Sequence, residues 1–539
     1  METNKISLQN KPKLFNYFKI YNFWIKAGLV FLFFFSLFLS LHLLNGHFTS
    51  SDDPYYHAKH ALLIEQSGQL NLIKPWLEFQ FFNYAPTDLW WGFHLGMALF
   101  IHFFGLFLGV EIFVSFLAAL VFLVFYLVLS GLKIKYASVW TGLLFFSSTI
   151  FCYRLFLERP HLLSMIVFPL AIYYLIKNKN FWLFILSLIY ILFYHLAPLI
   201  ILLAGLYIAV DAYYKKQINL QPLIASAGGI LAGIIIHPAG LNYLYVMFVV
   251  SFKIFFLKFS GVNLNIGGEL QFISFFEFLK ANFLVLCFYI LAVVIFLSLK
   301  KRSSRPEISC FLFLYSSFWF VVSLLVPRGV EYWLPAVFLF VTFIFNDFIK
   351  TDEFYQIKHS LAGKINFKIT GFFLISVLVL IIFNNLSNIY CDLYYNSAKE
   401  LSANYEQANL WLKANSEKGS VIFYDNWSMW PMMFYYNDYN HYITGMDPTL
   451  LYEYDARTYW LWQNISAQGV YCDEPKLCLN ISPREQIRLI PITIKTVFRA
   501  KYAVVSNYEN SNLVKTLNNL KAEVRLVFKN NDLLIYEMK

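Results

Sequence analysis

The stretch "SSDDPYYHAKH" at residues 50–60 places two adjacent carboxylates, Asp52 and Asp53, before a proline and follows them with His57 and Lys59. A carboxylate set this way can accept or orient the proton of an attacking group. Farther along, "LERPH" supplies Glu158, Arg159 and His161, and "RGVEYW" supplies Arg328 and Glu331. Guanidinium groups bind anionic oxygens through paired hydrogen bonds. His195 and His237 stand near prolines in "YHLAP" and "IHPAG", and Glu269 falls in "GGELQF". Brought together, such groups would polarise an acceptor and hold an anionic leaving group.

What could bring them together is a membrane. Of the 539 residues, 59% are hydrophobic and only 14% charged, too few charges to cover a soluble protein of this size. The mean hydropathy of +0.56 agrees, and the chain reads as a polytopic α-helical membrane protein. Its net charge of +10 is gathered in short clusters: Lys11 to Lys26, Lys133/Lys135, Lys177/Lys179, Lys215/Lys216 and "KKRSSRPE". Clusters of that kind mark cytoplasmic loops, so the basicity speaks of topology and not of a nucleic-acid partner. The first apolar run lacks a small-residue cleavage site and reads as a retained span.

A span needs roughly 20 apolar residues, and runs from 27–45 to 369–390 suggest about 11 of them. Residues 89–109 look apolar enough for another, but counting them would invert every later loop against its lysines. They are therefore expected to lie in the interface or re-enter the membrane. With this parity residues 1–26 are cytoplasmic and 27–390 form the membrane domain. The outer loops are 46–110, 153–161, 194–198, 237–281 and 326–335, so the chemically active residues collect on one face.

Residues 391–539 lose the hydrophobic runs and read as an outer-face soluble α/β domain. "SVIFYD", "YAVVSN" and "VRLVFKNNDLLIYE" are strand-like, the last a hairpin turned at "KNND". Its segment "YDNWSMWPMMFYYNDYNHYITGMDP", with Asp425 and Trp427, fits either an aromatic core or a sugar- or peptide-binding surface. Cys472 and Cys478 could form a local disulfide in an oxidising compartment. Other roles stand beside the chemical ones. Asp53 before Pro54 fits a helix N-cap, Glu158 could pair with Arg159, and Arg328 with Glu331.

These motifs together resemble the GT-C glycosyltransferases, and within them the oligosaccharyltransferase catalytic subunits. Asp53 in "DDPYYHAKH" falls on the acidic position of that family's first outer loop, Glu158 in "LERPH" on its second acidic motif. Asp425 and Trp427 in "YDNWSMWP" fall near its Trp/Asp-rich opening of the outer domain. The family's WWDYG signature is absent, so recognition of an N-glycosylation sequon is not implied. The resemblance implies transfer of a sugar from a polyprenyl-phosphate donor to a protein, lipid or glycan acceptor outside a bacterial plasma membrane. Asp53 would serve the acceptor, and Arg328 and Arg159 the leaving phosphate. Part of the family also uses a divalent cation, Mg²⁺ or Mn²⁺, which Asp53 with Glu158 would hold, Asp52 assisting.

Two other classes compete. A transporter or flippase of lipid-linked substrates calls for ionisable groups at mid-span and inverted repeats, and the sequence offers few of the first and no clear sign of the second. A non-catalytic membrane scaffold would need only the outer domain as a binding surface.

Overall fold

The computed structural model describes residues 11–50, 52–72, 76–253, 256–257, 260, 264–265, 267, 272–299, 305–362, 367–395, 399–472, 481–508 and 511–539. The apolar runs are helical throughout. Helix α1 (Lys11–Asn45) packs along α4 (Leu106–Gly131), where Phe34 stacks on Phe122 with ring centroids 3.9 Å apart. Five helices among the described residues are long and apolar enough to cross a membrane, or seven if each of two bent pairs is one span. Several further apolar helices, such as Leu162–Ile176 and Gln221–Ile236, are shorter than a full span. The expected count of about 11 spans rests on including such short helices.

Between α1 and α4 lie α2 (Asp53–Ser67) and α3 (Trp91–Phe104). Asp53 does not cap the helix: it opens it, Pro54 occupies the first turn, and Asp52 stands at the N-cap position without a side-chain cap hydrogen bond, its Oδ1 turned to Ser50 and Arg159. The α3 segment has 14 residues, about 21 Å of helix and too short to cross alone. It ends at Gly105, whose φ of +80° is open only to glycine at low cost and turns the chain directly into α4.

The run at 136–153 is not one straight helix. It breaks into α5 (Ala137–Phe146) and α6 (Thr149–Phe156), bent by 89°, because Ser148 caps α6 by accepting the Phe151 N–H. The bend delivers the loop that carries Glu158 and Arg159. Beyond α7 (Leu162–Ile176), α8 (Asn180–Phe193) and α9 (Leu199–Lys215) comes α10 (Gln221–Ile236), which lies tightly against α8. The contact depends on Gly229: a Cβ there would collide with Phe184 O and stand 2.9 Å from Ser187 Cβ. Gly229→Ala is expected to cost about 1–3 kcal/mol, read as a lower melting temperature in detergent. Gly228→Ala, whose Cβ would meet only the Phe184 ring edge at 3.6 Å, should leave it unchanged.

The C-terminal part carries a five-stranded sheet in the order β2-β1-β3-β5-β4. Its strands are β1 (Val421–Tyr424), β2 (His441–Tyr442), β3 (Ala500–Ser506), β4 (Val524–Lys529) and β5 (Leu533–Met538). Strand β1 runs parallel to β2 and β3, whereas β5 is antiparallel to β3 and β4. Asn530 turns the hairpin, its Oδ1 accepting the N–H groups of Asp532 and Leu533. The edge strand β2 is covered by the segment between α2 and α3: Glu78 N–H donates to Tyr442 O at 2.8 Å and Phe79 N–H to Ile443 O at 3.1 Å. An edge satisfied this way is closed to further pairing and ties the sheet to the segment between α2 and α3. Cys472 is disulfide-bonded, while Cys478 lies outside the described residues.

Candidate active site

Asp53, Tyr56 and His57 stand at i, i+3 and i+4 of α2, which sets them on one helix face. All three line a cavity of about 270 Å³. The loop after α6 adds Arg159, the α8–α9 turn adds Tyr194 and His195, and the "VPRG" turn adds Arg328. Trp90 from the segment before α3 and Met446, Asp447 and Leu450 from the C-terminal part also line it.

Arg159, nearly fully buried, binds both adjacent carboxylates, with Nη2 2.7 Å from Asp52 Oδ1 and Nε 3.4 Å from Asp53 Oδ2. The Asp53 side chain remains 41% exposed, enough to meet a ligand while its position is held. Across the cavity, Arg328 Nη2 donates to Tyr194 Oη at 2.7 Å, and its Nε lies 3.8 Å from Glu331 Oε1. Arg154 Nε donates to the same Glu331 oxygen. Burial, together with the charge of Arg328, pushes His195 down to about 3. His195 is thus neutral at physiological pH, and Arg328 is the cation on that wall.

Other expected site residues lie elsewhere. Glu158 is fully buried and faces away from the cavity: its Oε1 accepts the Thr49 N–H at 2.9 Å and the Thr49 hydroxyl at 3.0 Å, with His42 Nδ1 3.7 Å away. Burial, with Glu111 nearby, raises its carboxyl above the usual range. Asp53 and Glu158 therefore do not form a donor pair for Mg²⁺ or Mn²⁺. His161 is buried with Nε2 2.7 Å from Arg154 O. Glu331 is buried between its two arginines and positions Arg328 instead of meeting a ligand. His237 stacks on Tyr243 and binds the Asp88 backbone oxygen. Glu269 lies outside the described residues.

Asp425 and Trp427 also stand off the cavity. Asp425 accepts the N–H and hydroxyl of Ser506, tying the end of β1 to β3, and Trp427 opens a short 3₁₀ turn beside it. Burial pushes Asp425 up to about 6 from its ordinary 3.8. The folded state therefore holds that proton more tightly than the unfolded chain, and stability falls as pH rises from about 4 to about 6. Asp425→Asn keeps an acceptor for Ser506 and should flatten that decline in melting scans at pH 4.5 and 7.

Asp447 was not among the sequence candidates. It follows Met446, whose φ of +63° is costly for a side-chain-bearing residue and turns the loop toward the cavity. Its Oδ1 accepts the Thr449 N–H at 2.8 Å, and burial raises its carboxyl above the ordinary range. Trp90, which the sequence suits to an interfacial position, and Tyr194 were not site candidates either, because aromatic residues are common throughout this chain.

No family profile and no curated protein matches the sequence. Solved structures do match in fold. The Archaeoglobus fulgidus oligosaccharyltransferase superposes with a TM-score of 0.61 at 10% identity, over 89% of this chain and 69% of that one. ArnT from Cupriavidus metallidurans bound to undecaprenyl phosphate gives 0.53 at 12% identity, over 96% and 97%. The mycobacterial arabinofuranosyltransferase AftD gives 0.51 at 14%, over 94% of this chain and 41% of that one. With its apolar helices and small C-terminal sheet, this membrane protein has the fold of the GT-C glycosyltransferases.

Proposed function

We propose that the chain is an inverting glycosyltransferase. It would move a sugar or oligosaccharide from a polyprenyl-phosphate donor to an acceptor at the outer face of the membrane. The observation that carries this reading is the meeting of Asp53 and Arg328 in one cavity. Glycosyl transfer from a phosphate-activated donor needs those two charges. As the acceptor atom bonds to the anomeric carbon, its proton passes to the Asp53 carboxylate. The bond from that carbon to the phosphate oxygen breaks, its electron pair stays on oxygen, and Arg328 stabilises the charge that develops.

The likeness to ArnT supports a lipid-phosphate donor, since that protein was solved with undecaprenyl phosphate. Neutral His57 and His195 would give directional hydrogen bonds to the donor without adding charge. Asp447 and Met446, brought by the outer domain, would close the acceptor side.

The test is reconstitution of the full chain in liposomes with a panel of undecaprenyl-phosphate-linked sugars, following release of undecaprenyl phosphate and labelling of added acceptors. Donor consumption that disappears in Asp53→Asn is expected. Movement of intact lipid-linked substrate between leaflets, with no donor consumed, would replace this reading with a flippase.

A further inference from the structure

The first outer loop buries a carboxylate with no lysine or arginine against it among the described residues. Asp88 is 4% exposed. Its Oδ1 accepts the Trp90 N–H at 2.9 Å, while its Oδ2 stands 2.6 Å from His94 Nδ1 and 3.5 Å from His60 Nε2. His60 comes from α2 and His94 from α3, and both are buried. Neither ring nitrogen of His60 makes a well-formed hydrogen bond among the described residues, and the Leu72 backbone bears on the ring only weakly. Three donor atoms from three segments thus lie within 4.8 Å of one another.

A carboxylate taken out of water needs a compensating positive charge close by. Among the described residues the side chains closest to the Asp88 carboxylate are the two imidazoles, with His237 held at its backbone oxygen, and none of these carries a permanent charge. A divalent cation resolves both problems, supplying the charge and giving the idle His60 nitrogen a partner. Two imidazoles and one carboxylate form a common protein ligand set for zinc. Tetrahedral zinc with bonds of about 2.0–2.1 Å sets its ligand atoms roughly 3.3 Å apart, close to the His60–Asp88 spacing. The shorter His94–Asp88 contact is a hydrogen bond whose proton the metal would displace. The outer partners of such a site are also in place. The Trp90 amide holds the second Asp88 oxygen, and His94 Nε2 lies 2.8 Å from His57 Nδ1. Zinc-bound histidines commonly bond their second nitrogen in this way.

We propose that His60, Asp88 and His94 bind a zinc-class divalent ion, with water in the fourth position. None of the three lines the cavity of Asp53 and Arg328, and the site does not depend on the transfer reading. Its link to turnover does rest on that reading, because His57, which lines the cavity, is the group hydrogen-bonded to His94. A metal on Nδ1 of His94 leaves the Nε2 proton to donate to His57, fixing the His57 tautomer.

The experiment measures metal content by mass spectrometry on full-length protein purified without a polyhistidine tag. About one zinc per chain is expected for the wild type and for His237→Ala, which lies beside the cluster without joining it. His60→Ala and His94→Ala are expected to lose it. In a second measurement, chelator-stripped wild type gains melting temperature on addition of zinc alone, whereas stripped His60→Ala does not. Wild type that holds no transition metal and shows no zinc-dependent shift would overturn the site. Full zinc occupancy in His60→Ala would overturn this ligand set. Both readouts are independent of activity, so an inactive but zinc-loaded protein would count only against the transfer reading.

Discussion

Asp53→Asn is expected to slow sugar transfer by about 10²- to 10⁴-fold and to leave the melting temperature nearly unchanged. The amide has the shape of the carboxylate but cannot take the acceptor's proton at neutral pH. Stability is spared for two reasons. Asp53 is the first residue of α2 and 41% exposed, so its ion pair with Arg159 is of the half-solvated kind that contributes about 1 kcal/mol or less. The buried guanidinium also keeps its shorter contact to Asp52 at 2.7 Å, so no charge is left unpaired.

Asp52→Asn supplies the contrast. Asp52 does not line the cavity and instead accepts from the Ser50 hydroxyl and binds Arg159. Its loss should act only by loosening Arg159, with a much smaller effect on turnover. Rates of donor consumption and melting curves for the two variants decide the matter. A larger loss from Asp52→Asn than from Asp53→Asn would reverse the roles of the two carboxylates.

The sequence could show which residues were costly to bury but not which way each one turned. Glu158 and Arg159 are neighbours, yet one points into a nest with Thr49 and His42 and the other toward the cavity. The deciding partner, Thr49, stands 109 residues away in sequence and looks there like an ordinary loop residue. His161 and Glu331 were plausible ligands by type, but each is used up holding Arg154 or Arg328 in place. Positioning residues of this kind carry the same letters as ligand residues, and only geometry separates them.

Local signals succeeded where local physics decides. β1, β3 and β4 follow apolar and β-branched runs closed by Asp425, Ser506 and Asn530, and β5 returns from that last turn. β2, two residues long, is specified by its pairing with β1 and by the bridge to Leu77, not by propensity. The break between α5 and α6 was written as "SST" but hidden inside a greasy run, where the hydropathy signal drowned the capping signal.

Arg328 should show the second large effect. Arg328→Ala is expected to lower turnover by about 10²- to 10³-fold, the scale of losing one preorganised group that stabilises an oxyanion. The fold should survive, because Glu331 keeps its hydrogen bond from Arg154 and Tyr194 loses only one half-buried partner. Arg328→Lys should recover only part of the rate. The guanidinium rests on Tyr194 through one terminal nitrogen and faces Glu331 with Nε, and a lysine offers neither the fork nor the fixed plane. Glu331→Gln should behave in the opposite way. It removes the carboxylate between two guanidiniums, and breaking a buried pair costs about 3–5 kcal/mol, so melting temperature and turnover should fall together. Turnover against donor concentration, measured beside melting curves, separates the two outcomes. An Arg328→Lys enzyme with the wild-type rate would show that the cavity needs a positive charge but no bidentate grip on the leaving phosphate.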